Sequence, residues 1–63
     1  MEEKVIKLLK DIEKTVFPFG KYKSEEIGEI LVRDRDYVVW MSENNEGSFG
    51  LMLRFYLDNE EMV

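Results

Sequence analysis

The stretch TVFPFGKYKSEEIGEIL, residues 15–31, decides between two folds. Pro18 keeps Phe17 out of helical conformation and supplies no ladder donor, so residues 15–19 read as an extended edge segment that reverses at Gly20. Residues 25–32 read two ways. Ile27, Ile30 and Leu31 are spaced as one turn of helix, and the same residues could form a short strand returning beside 16–20, while Gly28 weakens both. The return strand is the expectation. It makes 15–31 a β-hairpin and the fold class α+β.

On the N-terminal side, Val5, Leu8, Leu9, Ile12 and Val16 recur with the helical period and predict an amphipathic helix over residues 2–14. Glu2 and Glu3 in its first turn and Lys10 and Lys14 near its end suit the helix dipole. Lys7, Lys10 and Lys14 share one flank, which ordinary solvation explains. On the C-terminal side, Asp34 or Asp36 is a ready N-cap for a helix over 35–44, with Tyr37, Trp40 and Met41 as its apolar stripe. Residues 49–57 alternate as a strand would. The absence of turn residues, the helix formers Leu, Met and Arg, and Ser48 as a cap favour a helix over 48–60. The expected core is Val5, Leu8, Leu9, Ile12, Phe17, Phe19, Ile27, Ile30, Tyr37, Trp40, Met41, Leu53 and Phe55, and replacing Trp40 by alanine is expected to cost about 3–5 kcal/mol.

Sixty-three residues make one small domain, and a chain of that size buries only about 60% of its unfolded surface. Without cysteine, neither disulfides nor a thiolate zinc site can reinforce it, so packing must. The chain opens Met-Glu-Glu and holds no apolar run approaching the roughly 20 residues of a membrane span. The expected location is the cytoplasm, or the host cytoplasm for a phage-encoded protein. A monomer is favoured, with pairing through the edge segment left open. Charge is uneven: residues 1–23 hold six lysines and four acids, whereas 24–63 hold three arginines and ten acids, within a net charge of −5. That distribution speaks to partners and solubility rather than to fold.

Enzyme chemistry finds few groups here. Histidine and cysteine are absent, which removes the commonest general base, the thiol nucleophile and the imidazole ligand. Ser24 and Ser42 have no base in the sequence around them. Asp34-Arg35-Asp36 could bind Mg²⁺, but helix capping accounts for it with fewer assumptions. The expectation is a non-enzyme with no metal and no cofactor.

The pattern Pro18-Phe19-Gly20-Lys21-Tyr22-Lys23, a short apolar stretch, and then Asp36-Tyr37-x-x-Trp40 resembles the small domain at the C-terminus of exonuclease X-like proteins. It equally resembles stand-alone bacterial and phage relatives labelled quorum-sensing-regulated virulence factors. Gly47-Ser48-Phe49-Gly50 and the leucine-rich run after it are similar to the tail of that stand-alone group. The resemblance spans about 17–57 and leaves the N-terminal helix outside it. It implies a small α+β unit, a β-hairpin packed on helices, that grips nucleic acid beside DNA-processing domains and has no catalytic role. The family has glycine where this chain has Ser24, so a left-handed backbone there would strain the serine. Glu25 and Glu26 directly after the lysines are a second departure.

The leading functional expectation is therefore a non-catalytic accessory domain for single-stranded DNA or RNA. Lys21 and Lys23 would contact phosphate and Tyr22 would stack on a base, with Phe19, Arg33, Arg35 and Lys14 in support. The bland alternative packs the aromatics inside and leaves the lysines to solubilise the turn. The rival from another class is an acidic inhibitor or adaptor that offers Glu25, Glu26, Glu29, Glu43, Glu46, Asp58, Glu60 and Glu61 to a basic protein, such as a DNA-binding protein or RNA polymerase, in imitation of phosphates.

Overall fold

The computed structural model describes residues 2–63, which form four α-helices: α1 Glu2–Lys14, α2 Ile27–Arg33, α3 Arg35–Asn44 and α4 Ser48–Asn59, with a 3₁₀ turn, Glu60–Met62, closing the chain. Among the described residues there is no strand, so the expected α+β class and its β-hairpin are corrected to an all-helical fold. The chain does reverse where the hairpin was expected. Phe17 N–H donates to Glu25 O at 3.0 Å and Ser24 N–H to Phe17 O at 2.8 Å, but the pairing stops at two isolated bridges, Val16 with Glu26 and Phe17 with Lys23.

The return arm is helical because its apolar residues serve one face. Ile27 and Ile30, three apart, are both fully buried, and Leu31 packs beside them. A strand would send Ile27 and Ile30 to opposite faces. Gly28, which weakened both readings, is a packing contact: a Cβ there would lie 3.1 Å from the Glu13 carbonyl, so its small size lets α2 approach α1.

Helices α1 and α3 have the predicted bounds, and α3 starts as expected, with the Asp34 carboxylate accepting from the Tyr37 N–H at 3.3 Å. Helix α4 also begins at Ser48, although Gly47, with no side-chain bond, occupies the cap position that Ser48 was expected to fill. At Gly50 a Cβ would sit 1.8 Å from the Asn45 carbonyl oxygen, so the first turn of α4 crosses the end of α3 at a distance only glycine permits.

The core comprises Leu9, Ile12, Phe17, Ile27, Ile30, Val38, Met41, Leu53 and Tyr56. Six expected members lie outside it: Leu8, Phe19, Trp40 and Phe55 are exposed, and Val5 and Tyr37 are partly buried against it. The periodicity was correct and its phase was not. Helix α3 buries Val38, Met41 and Ser42 rather than the stripe Tyr37, Trp40 and Met41, and α4 buries Leu53 and Tyr56, with Phe49 and Met52 partly covered. Phe17, fully buried, fills the space beneath the turn that several aromatics were expected to share, its ring 5.4–6.4 Å from those of Tyr22, Tyr37 and Phe49. Between helices, Tyr56 Oη donates to Glu13 Oε2 at 2.5 Å, tying α4 to α1, and Arg54 donates to the Ser42 carbonyl at 2.8 Å, tying α4 to α3.

Candidate nucleic-acid interface

Residues 17–26 form a turn whose shape follows from two left-handed residues and one buried ring. Gly20 has φ +90° and Ser24 φ +72°. Glycine tolerates that region and serine is strained in it, so the strain anticipated for Ser24 is present. Phe17 anchors the base of the turn from below.

Asp34 holds the turn from the side. Its Oδ2 accepts from the Tyr22 hydroxyl at 2.7 Å and lies 3.6 Å from Lys21 Nζ, while its Oδ1 caps α3. One carboxylate thus joins turn and helix. The Tyr22 hydroxyl bond above all, with the Tyr37 N–H and the Lys21 charge, holds its pKa below the ordinary carboxylate value. The same bond to Asp34 raises the Tyr22 phenol, and Lys21 is raised by Tyr22 and then Asp34 beside it. This carboxylate is engaged as cap and anchor, and the capping role read from the sequence is present. Among the described residues no cluster of three Asp or Glu is arranged to hold a metal ion.

Tyr37 adds a second brace. Its hydroxyl accepts from the Lys21 N–H at 3.2 Å, and its ring meets Tyr22 edge-on at 5.0 Å and lies 6.0 Å from Trp40. A Cβ on Gly20 would lie 2.6 Å from that hydroxyl. The turn is fixed by side chains far along the chain.

The seven residues singled out in the sequence fall into two groups. Phe19, Lys21, Tyr22 and Lys23 lie together on the turn, and Arg33 joins them, its guanidinium carbon 5.9 Å from the Tyr22 ring centroid and its Nη1 2.8 Å from Glu25. Lys21 Nζ is 5.2 Å from the same centroid. Tyr22 is therefore partly buried and bonded at its hydroxyl, while Lys21, Lys23 and Phe19 are exposed. Lys14 and Arg35 instead line a cleft with Glu13, Glu26, Glu29 and Glu60, where Arg35 pairs with Glu60. Four carboxylates against two cations make that cleft acidic on balance. Among the described residues, Lys23 and Lys14 form no ion pair.

Two features were not read from the sequence. Asp34 was recognisable as a cap but not as the partner of Tyr22, twelve residues away, because nothing in local spacing links them. Trp40 was placed inside and is 54% exposed.

Fold and site define a small cysteine-free helical unit that displays a braced aromatic and basic turn. Residues 17–46 match the family model described as exodeoxyribonuclease X-like C-terminal, the family that the Phe-Gly-Lys-Tyr-Lys and Asp-Tyr-x-x-Trp motifs resemble. The match holds the turn, α2 and α3 and ends before α4, short of the residue 57 expected from the tail. No curated protein and no solved structure matches the chain. No helix among the described residues is long and apolar enough to cross a membrane.

Proposed function

We propose that this protein is a non-catalytic accessory domain that binds single-stranded DNA or RNA through the Phe19–Lys23 turn. The observation that carries the reading is the turn itself, which is braced by Phe17, Asp34 and Tyr37 while Lys21, Lys23 and Phe19 point outward. A turn ordered in advance loses little entropy on binding. The likeness of residues 17–46 to the C-terminal part of an exodeoxyribonuclease supports a DNA-processing setting.

Single strands fit better than duplex because the positive charge is sparse. With two lysines on phosphates, the logarithmic salt slope should be about −1.4, and raising salt from about 50 to 200 mM should weaken binding about seven-fold. Fluorescence anisotropy of labelled single-stranded oligonucleotides tests this, with Lys21→Gln/Lys23→Gln as the control that flattens the slope. Equal or tighter binding to duplex, or no binding at 50 mM salt, would contradict the reading.

A second reading, an acidic adaptor for a basic protein partner, draws support from the cleft lined by Glu13, Glu26, Glu29 and Glu60. A lysine-rich peptide that binds the wild type and loses affinity on Glu26→Gln/Glu29→Gln would favour it.

A further inference from the structure

We infer that Trp40, rather than Tyr22, is the platform on which an unpaired base stacks, with the phosphates running toward Lys21 and Lys23; the inference rests on the single-strand reading above. A stacking platform needs an aromatic face open to solvent. Tyr22 lacks a free approach. Its hydroxyl is bonded to Asp34, two cations lie over its ring at 5.2 and 5.9 Å, and the Tyr37 ring packs against it in a T-shaped pair with centroids 5.0 Å apart. Tyr22 is a positioning residue that sets Lys21 and Arg33.

Trp40 is the opposite case. It is the sole tryptophan and is 54% exposed, in a domain small enough to need its large rings inside. Its connection to the cationic turn is continuous: the Trp40 ring lies 6.0 Å from Tyr37, whose hydroxyl accepts from the backbone N–H of Lys21 at 3.2 Å. The exposed indole and the backbone that carries the Lys21 side chain are therefore held by one intermediary side chain, while Asp34 lies 3.6 Å from the Lys21 ammonium. Phe19, 45% exposed and edge-on to Phe49 at 5.9 Å, offers a further ring on the turn.

Charge fixes the direction of the strand. Asp36 and Glu43, both exposed, lie one turn to either side of Trp40 on α3 and share its face. They repel phosphate along the helix, whereas Lys21 and Lys23 attract it on the turn. The complementary ligand is thus a base over Trp40 whose backbone leaves toward the lysines. Duplex, with its bases already stacked and its two phosphate rails, does not meet that description.

A lone tryptophan makes the test direct. The full chain is titrated with a thymidine oligonucleotide of about twelve residues and with an abasic strand of equal length, while Trp40 emission and the anisotropy of a label on the strand are both recorded. The thymidine strand should quench and shift the emission. The abasic strand should bind about ten-fold more weakly and leave emission unchanged, ten-fold lying within the worth of one stacked base. Trp40→Ala should lose the same ten-fold for the thymidine strand and nothing for the abasic one, and Trp40→Phe should retain most of it. Asp36→Asn/Glu43→Gln should tighten binding about two-fold. Melting curves of the Trp40 variants close to wild type confirm that folding is not the cause. Binding seen by anisotropy with unchanged emission and an unaffected Trp40→Ala variant would overturn the platform and leave the single-strand reading intact. Absence of any anisotropy change would overturn both. An emission shift that follows protein concentration without oligonucleotide would assign Trp40 to self-association and overturn it as well.

Discussion

The chain reverses tightly at residues 17–26 and again at 45–50, and the two reversals are held by different physics. The second is a matter of backbone proximity. Asn45 Oδ1 accepts from the Gly47 N–H at 2.8 Å, and Gly50 lets α4 start against the Asn45 carbonyl. The first is held by side chains from elsewhere: Phe17 below, Asp34 beside, Tyr37 behind. Steric proximity makes a hinge that presents nothing. Side-chain bracing leaves the apex of the turn free, and Phe19, Lys21 and Lys23 occupy it.

Breaking the second reversal should have the largest effect. Gly50→Ala places a methyl group 1.8 Å from a backbone oxygen that cannot move without shifting a helix, so a loss above about 4 kcal/mol is expected. In a domain this small that loss should appear as the absence of a cooperative melt by circular dichroism.

Within the first reversal, Phe17→Ala should cost about 3–5 kcal/mol, because the ring is fully buried. Trp40→Ala should cost less than about 1 kcal/mol, as an exposed side chain does. Equal costs in chemical denaturation would erase the distinction drawn between a sealed ring and an open one.

Asp34→Asn sharpens the comparison through pH. The folded-state pKa of Asp34 is depressed by Tyr22, Tyr37 and Lys21. Its stabilisation is therefore present above the unfolded value near 3.9 and is lost as pH falls through the folded value. The variant, which can still cap α3, should be less stable at pH 7 and should show a flatter decline below about pH 4. An acid limb as steep as that of the wild type would remove Asp34 from the account.

The smallest effect should be a gain. Ser24→Gly relieves a φ of +72° and should stabilise the protein by about 0.5–1 kcal/mol, measured as a shift in denaturation midpoint. A loss of stability would mean that the serine side chain supports its conformation in some other way.

Much of this was legible in the sequence, and the rest failed for identifiable reasons. Helices α1 and α3 declared themselves through period and caps, and α4 through the lack of turn residues. Residues 27–33 were misread because so short a stretch shows only one helical turn, Ile27, Ile30 and Leu31, and Gly28 counted against it; the deciding feature is the approach of Gly28 to Glu13, a tertiary contact. The phase of α3 was missed for a related reason. Tyr37, Val38, Trp40 and Met41 are all apolar, so periodicity shows a helix without saying which face is inward. The turn was legible in its residues and in the strain at Ser24, but its brace was not, since Tyr22 to Asp34 and Lys21 to Tyr37 span twelve and sixteen positions.

The central claim is that the braced turn and the neighbouring face of α3 are the surface that meets a single strand. An amide-shift NMR titration of the labelled protein with short single-stranded DNA and RNA, at low and physiological salt, tests it most directly. The account predicts salt-sensitive shifts at Phe19, Gly20, Lys21 and Lys23, together with Trp40, and little change along the cleft of Glu13, Glu26 and Glu29. Shifts confined to that cleft, or none at low salt, would contradict it.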